Sequence, residues 1–316
     1  MENLLPEKHM EKNIQIEKAL RKRVRPGEAV ISIVLFFCGF LSVVTTLTII
    51  FILLRETRLF FSYPEVNIID FFTGTTWEPT IGKFGILPLL SATLLTTSIA
   101  MTVALPLGIF VAVFLSEYAS TRTRQILKPI LEILAGIPTV VYGFFALTFI
   151  TPMLRSILGK DTVEIYNTAS AGIAMGILIL PLIATMTEDA LSAVPRSLRE
   201  AGYGLGATKL EVALKIVVPA ALSGIAAAVL VGFSRAIGET MIVAIAAGAG
   251  SKLTVNPLLP AETITGFIVR ISGGDLSYDT LDYDSIYALA MVLFVFTLFL
   301  NLLSQKVVNR FREKYE

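Results

Sequence analysis

Residues 194–219 read VPRSLREAGYGLGATKLEVALKIVVP. Ser197 and Glu200 have the Ser-x-x-Glu spacing of a capping box, and Thr208 and Glu211 the Thr-x-x-Glu spacing of a second. Gly202, Gly204 and Gly206 lie between them and can supply a sharp turn. The stretch is therefore expected to fold as a short helix, a turn and a second helix. A plain helix connector needs only a few residues, so an ordered helix across one face of the protein reads as a handle for another molecule.

Working outward, apolar runs flank this stretch on both sides. A helix needs about 20 predominantly apolar residues to cross the hydrocarbon core. Six segments qualify, at about 30–54, 86–115, 129–151, 169–187, 217–248 and 285–308. The second and fifth are long for one span, which predicts tilt or a broken helix. Pro106, Pro138 and Pro181 lie in the second, third and fourth runs. Of the 316 residues, 54% are hydrophobic and 16% charged, against about a quarter charged in soluble domains. The fold class is all-α: a polytopic membrane protein with six transmembrane helices.

Lys and Arg accumulate in cytoplasmic loops. With both termini inside, 18 of the 26 basic residues fall inside and seven outside, and Arg235 lies within a span. Residues 1–29 are polar and mixed in charge, which is not the short basic start of a cleaved signal. They are expected to be a cytoplasmic extension, as a solvated tail or as a helix on anionic lipid. The six-helix domain then covers 30–316. The loop at 250–284 is external in this topology and acidic, with Glu262, Asp275, Asp279, Asp282 and Asp284. It reads as a solvated loop or as a contact for an external partner. The single cysteine, Cys38, excludes an internal disulfide and reads as a small core hydrophobe.

Arg235-Ala236-Ile237-Gly238-Glu239-Thr240 lies deep in the fifth run. An ionisable residue inside a membrane is a functional hypothesis by default. Four apart on one helix, Arg235 and Glu239 would share a face and pair. Two readings stand: a structural ion pair, or an anion relay in which a passing oxyanion competes with Glu239 for the guanidinium fork. Gly136-Ile137-Pro138-Thr139-Val140-Val141-Tyr142-Gly143 marks the third run. Pro138 kinks it, for packing or to open backbone toward a cavity. Gly172 and Gly176 give the fourth run a close-approach face, and Glu132 reads as interfacial.

The long loop resembles that of ABC importer permeases, which carry Glu-Ala-Ala, three residues, Gly, nine residues and Ile-x-Leu-Pro. Here Glu200, Ala201, Gly202, Gly206, Ile216 and Pro219 keep every spacing, with Gly202 for the second Ala and Val218 for Leu. The resemblance implies the MetI-like permease fold. It also implies a coupling role for Glu200, Ala201, Gly202 and Gly206 against an ATPase subunit. The hexapeptide at 235–240 is similar to the Arg-Ala-(Leu/Ile)-Gly-Glu-Thr of phosphate permeases, and 136–143 to their Gly-Ile-Pro-Ser-Val-Val-Tyr-Gly. Asp70-Phe71-Phe72-Thr73-Gly74 with Trp77, Phe84, Gly85 and Pro88 resembles the PstC-type half of that importer. What this implies is a phosphate permease with Arg235, Glu239, Thr240, Tyr142 and Thr139 along the substrate path. The implied partners are a PstA-like second permease, two copies of a PstB-like ATPase and an external PstS-like binding protein. The implied mechanism is alternating access.

The chain has no Gly-x4-Gly-Lys-Ser/Thr phosphate loop, since Gly159-Lys160 is followed by Asp161. ATP is expected to be used by the partner, with no cofactor on this chain. The lone histidine, His9, excludes a His-based metal site or a serine triad. Nothing in the charge pattern suggests nucleic acid. Two rivals remain: the same machine with sulfate or molybdate, and a gradient-driven secondary transporter that needs no ATPase.

Overall fold

The computed structural model describes residues 26–250, 253–274 and 280–311. The expected extension lies almost wholly outside the described residues, as do Asp275 and Asp279. Two compact units emerge, up to Ile52 and from Leu53.

Helix α1, Pro26–Phe60, runs through the boundary between them. It begins before the expected start of the first span, because Pro26 suits a first helical turn. In the first unit its apolar side chains, Phe36, Phe37 and Leu41 among them, are exposed all round. A helix apolar on all sides is suited to apolar surroundings rather than to water. Thr45 and Thr48 hide their hydroxyls on the carbonyls of Leu41 and Val44. Cys38 is exposed on this helix and is not the buried hydrophobe expected of it.

The second unit is a helical bundle with a small aromatic cap. Helix α2, Ile68–Thr73, and the two-stranded hairpin of β1, Trp77–Glu78, and β2, Lys83–Phe84, form the cap. Phe60, Phe71, Trp77 and Phe84 meet edge to face at centroid distances of 5.2–6.2 Å. Helix α3, Leu87–Val113, carries Pro106 without breaking and ends in a π-helical turn, Phe114–Tyr118. Helix α4, Thr121–Gly136, is amphipathic and largely exposed. Helix α5, Thr139–Phe145, continues through a π turn into α6, Thr151–Leu158. The third span is therefore 139–158, not 129–151. Pro138 caps it and separates it from α4 rather than kinking it midway, because a proline before a helix sets the chain to extended dihedrals there.

Helix α7, Thr168–Ser192, is the central helix. Of its most apolar window 67% is buried, against 28% or less in the other long apolar helices. Its glycines explain the closeness of α3. A Cβ on Gly172 would lie 2.7 Å from Ile99 Cβ, and one on Gly176 would lie 2.8 Å from both the Ala100 carbonyl oxygen and Val103 Cβ. After α8, Arg196–Gly204, come α9, Lys209–Val212, a π turn, Ala213–Val217, and α10, Val218–Ala220. The chain bends by 70° into α11, Leu222–Ile237. It breaks again before α12, Met241–Ala246, so the fifth run is a broken span, while the second is not. Helices α13, Ile264–Ser272, and α14, Leu281–Phe311, complete the chain. Five helices among the described residues are long and apolar enough to cross a bilayer, and the bent pair makes a sixth when taken as one span.

The tight α3–α7 contact yields a test. Gly176→Leu must push α3 away from α7, and overpacking of this kind costs about 1–3 kcal/mol. The expected outcome is a lowered thermal unfolding midpoint in detergent, with Gly39→Leu as a neutral control since a Cβ there meets nothing within 4 Å. Equal midpoints for the two variants would contradict the packing assignment.

Candidate functional site

Two features stand out, an exposed short helix at one end of the bundle and a charged break inside it. The short helix, α8, begins at Arg196 with Pro195 as its N-cap and without a side-chain cap bond. The expected Ser197–Glu200 box is thus not formed. Pro195, held by its ring at φ −56°, starts the helix early and leaves Ser197 inside its first turn. The Thr208–Glu211 box is present in full. Between them Gly206 adopts φ 82°, its N–H donates to Tyr203 and the Ala207 N–H donates to Gly202. That pair of bonds is a Schellman C-cap, which needs a residue free to be left-handed at this position. Gly202 is buried against Ile216 and Val212, while Glu200, Ala201, Tyr203, Leu205 and Gly206 are exposed. Leu205 is 90% exposed, an unusual place for a leucine that has no partner.

Arginines tie this end together, a feature that the sequence reading missed. Arg199 on α8 donates to Glu117 at 2.9 Å and to the carbonyls of Leu191 and Val194. Arg124 donates to the carbonyls of Leu115 and Ser116. Both guanidinium groups thus bond carbonyls at or just past helix ends, where the intrahelical ladder stops. Glu188, 1% exposed, receives the Lys128 ammonium at 2.5 Å. Lys209 sits 4.9 Å over the Tyr118 ring. Helix α8 is therefore clamped to the turn that ends α3 by a charge pair, and α9 is held to the same turn by a cation–π contact. The signal in the sequence was Glu117 beside an apolar run, which is costly unless a cation meets it.

The break lies at Gly238–Thr240. The expected Arg235–Glu239 pair is absent from the ion pairs of the described residues. The helix ends at Ile237, so the four-residue spacing does not put the two on one face. Glu239 is 9% exposed and accepts from the Ile242 N–H at 3.5 Å, while its carbonyl accepts from Thr265 Oγ1 at 2.7 Å. Thr240 donates to the Gly238 carbonyl. Arg235 is exposed and lines a cavity of about 290 Å³ with Glu132, Leu131, Pro181 and Thr185. Glu132 and Arg235 are its charged lining residues. Tyr142 is buried in the core and donates to the Leu134 carbonyl at 2.7 Å, which spans the break at Pro138. Thr139, half-buried, opens α5 beside it. The break therefore gathers Glu239 and Thr240, while Arg235 points to a separate cavity and Tyr142 serves the backbone.

The family model for the binding-protein-dependent transport system inner membrane component matches residues 104–313. The chain belongs to this family. The matched residues include α8, the break and the Arg235 cavity. Among curated relatives, the probable ABC transporter permease protein YqgH of Bacillus subtilis (strain 168) is 33% identical over 247 residues, 78% of this chain and 79% of that protein. The phosphate transport system permease protein PstC of Mesorhizobium japonicum is 31% identical over 261 residues, 76% of this chain and 78% of that one. Among solved structures, the bacterial alginate ABC transporter in complex with alginate pentasaccharide-bound periplasmic protein aligns at a TM-score of 0.61 and 16% identity. That alignment covers 91% of this chain and 99% of its own, and it supports the permease fold. This inner membrane component is accordingly the permease subunit of an ABC importer, a class that works with an ATPase and a substrate-binding protein.

The clamp in this permease is testable. Glu117 is 6% exposed and Arg199 16%, so Arg199→Met strands a buried carboxylate, and losing one partner of such a pair costs about 3–5 kcal/mol. Faster amide hydrogen exchange over 196–204 is expected in that variant. Adding Glu117→Gln restores much of the protection. A double variant as labile as the single one argues against a direct pair.

Proposed function

We propose that this chain is one of two permease subunits in an ATP-driven phosphate importer, with both termini cytoplasmic. The observation that carries the substrate class is Arg235. Its guanidinium has no carboxylate or carbonyl partner among the described residues, and it opens to a cavity where an oxyanion can take its donors. A planar fork of N–H groups suits phosphate oxygens. The phosphate permeases among the relatives favour phosphate over other oxyanions.

In this reading α8 is the coupling helix. Glu200, Ala201 and Leu205 face outward for the ATPase, and Gly202 and Gly206 shape the helix behind them. ATP binding by two PstB-like subunits closes that pair and moves α8. Arg199 and Lys209 carry the motion to the end of α3. Phosphate handed over by a PstS-like protein descends between this chain and a PstA-like permease. Thr139, Glu239 and Thr240 line the narrow part of the path. ATP is hydrolysed by the partner, and this chain needs no cofactor.

Two measurements test this. Gentle solubilisation of the tagged chain should bring an ATPase subunit with it in wild type and lose it in Glu200→Arg; a folded wild-type complex without any ATPase would favour a gradient-driven transporter. Arg235→Gln should assemble normally and lose most uptake of radiolabelled phosphate, with sulfate and molybdate as competitors to separate the oxyanions. Normal uptake by that variant at normal abundance removes Arg235 from the path.

A further inference from the structure

A second charged pair lies on the other side of the break, where Met241 and Ala244 of α12 face α13. Glu262, on the acidic loop expected to be solvated or to contact an external partner, is 5% exposed. Its carboxylate takes both bonds of a fork from Arg270, Nε to Oε1 at 2.6 Å and Nη2 to Oε2 at 2.9 Å. Asp284 in the same acidic stretch is also buried and accepts from the Tyr63 hydroxyl. Burial pushes the Glu262 carboxyl up, and the Arg270 guanidinium opposes that shift.

The pair is not closed in. The Arg270 side chain is 53% exposed, and its guanidinium carbon sits 5.3 Å over the Phe267 ring. Arg270 and Glu262 both line a cavity of about 710 Å³ with Tyr166, Met241, Gly248 and Pro260. Both also line a neighbouring cavity of about 320 Å³ that holds Trp77 and Asp282. A guanidinium has five N–H donors. Two are used on Glu262, and the others have no partner among the described residues. A buried carboxylate thus holds one edge of the fork in a set orientation, and Arg270 lines both cavities with its remaining donors free of protein partners among the described residues. A mostly apolar cavity with a few convergent polar groups has the character of a binding site.

We propose that Arg270, oriented by Glu262, is a separate oxyanion site at the mouth of the pathway, occupied before the anion reaches Arg235. This rests on the oxyanion-importer reading above. Glu262 is a positioning residue: it fixes the guanidinium and does not touch the anion. The cavities of Arg235 and Arg270 share no lining residue, and the 238–240 break falls between Arg235, which lines one, and Met241, which lines the other. The stacking of Arg270 on Phe267, itself 5.2 Å from Trp77, links occupancy to an indole ring.

Trp77 is the one tryptophan of the chain, which gives a direct readout. The full-length chain in lipid nanodiscs is titrated with inorganic phosphate at constant ionic strength, with chloride as the control. A saturable change in Trp77 fluorescence is expected. It should persist in Arg235→Gln, and the affinity should weaken by about tenfold or more in Arg270→Gln/Glu262→Gln, since hydrogen bonds from a charged donor are among the strong ones. The double variant leaves no lone buried charge. In the assembled importer it should raise the KM for uptake while the ATPase rate without phosphate stays level. No saturable signal in wild type with phosphate or with sulfate, titrated in the same way, or an equal one in the double variant, overturns the site. A wild-type signal with sulfate but not phosphate supports the site and removes phosphate as cargo. Phosphate uptake with an unchanged KM in the double variant overturns the site and leaves the importer reading intact.

Discussion

A chain inside hydrocarbon must satisfy its backbone N–H and C=O groups from its own atoms. The arrangement of this bundle around its interruptions follows from that constraint. At Gly238–Thr240 the helical ladder stops, and the freed groups are met locally. Thr265 donates to the Glu239 carbonyl, Glu239 accepts from the Ile242 N–H, and Thr240 returns to the Gly238 carbonyl. At Gly136–Pro138 the Tyr142 hydroxyl reaches back to Leu134. These side chains take up backbone groups beside the breaks where the broken elements lie against α7. Gly143 permits the approach between the two broken runs, since a Cβ there would lie 2.9 Å from Ile245 Cδ1.

Charge is handled in three ways along the bundle. At the α8 end, Glu117 and Glu188 are buried and matched to cations, and two arginines also terminate helices. Such pairs give little net stability but penalise any displacement of one partner. They suit a joint that must move as a unit. Arg235 makes no ion pair among the described residues and shares its cavity with Glu132. Beyond the break, Arg270 has half of its fork committed to Glu262 and half exposed. The gradation from fully matched to open charge follows the path proposed for an anion.

Much of the fold was legible because lipid and water impose simple periodic demands. Apolar runs of sufficient length marked the spans, Gly172 and Gly176 marked the helix contact, and Thr208 with Glu211 marked a helix start that formed as expected. Two of the errors share one cause. Spacing arguments assume that the element continues, and Arg235–Glu239 failed because the helix ended at Ile237. Ser197–Glu200 failed because Pro195 started its helix earlier, and Glu262 looked solvated because its partner stands eight residues on in another turn of structure.

The sequence by itself determined the class, the number of apolar runs, the short helix after the fourth run and the presence of an arginine within the fifth apolar run. These depend on composition and on residues close in the chain. The tertiary structure alone decided which carboxylate meets which cation, because Arg199 meets Glu117 across 82 residues. It also decided that Arg235 and Glu239 part company, and that Arg270 turns one edge to a cavity. A side chain's partner in a bundle is set by how helices cross and where they break, and neither is encoded in the spacing of the residues concerned.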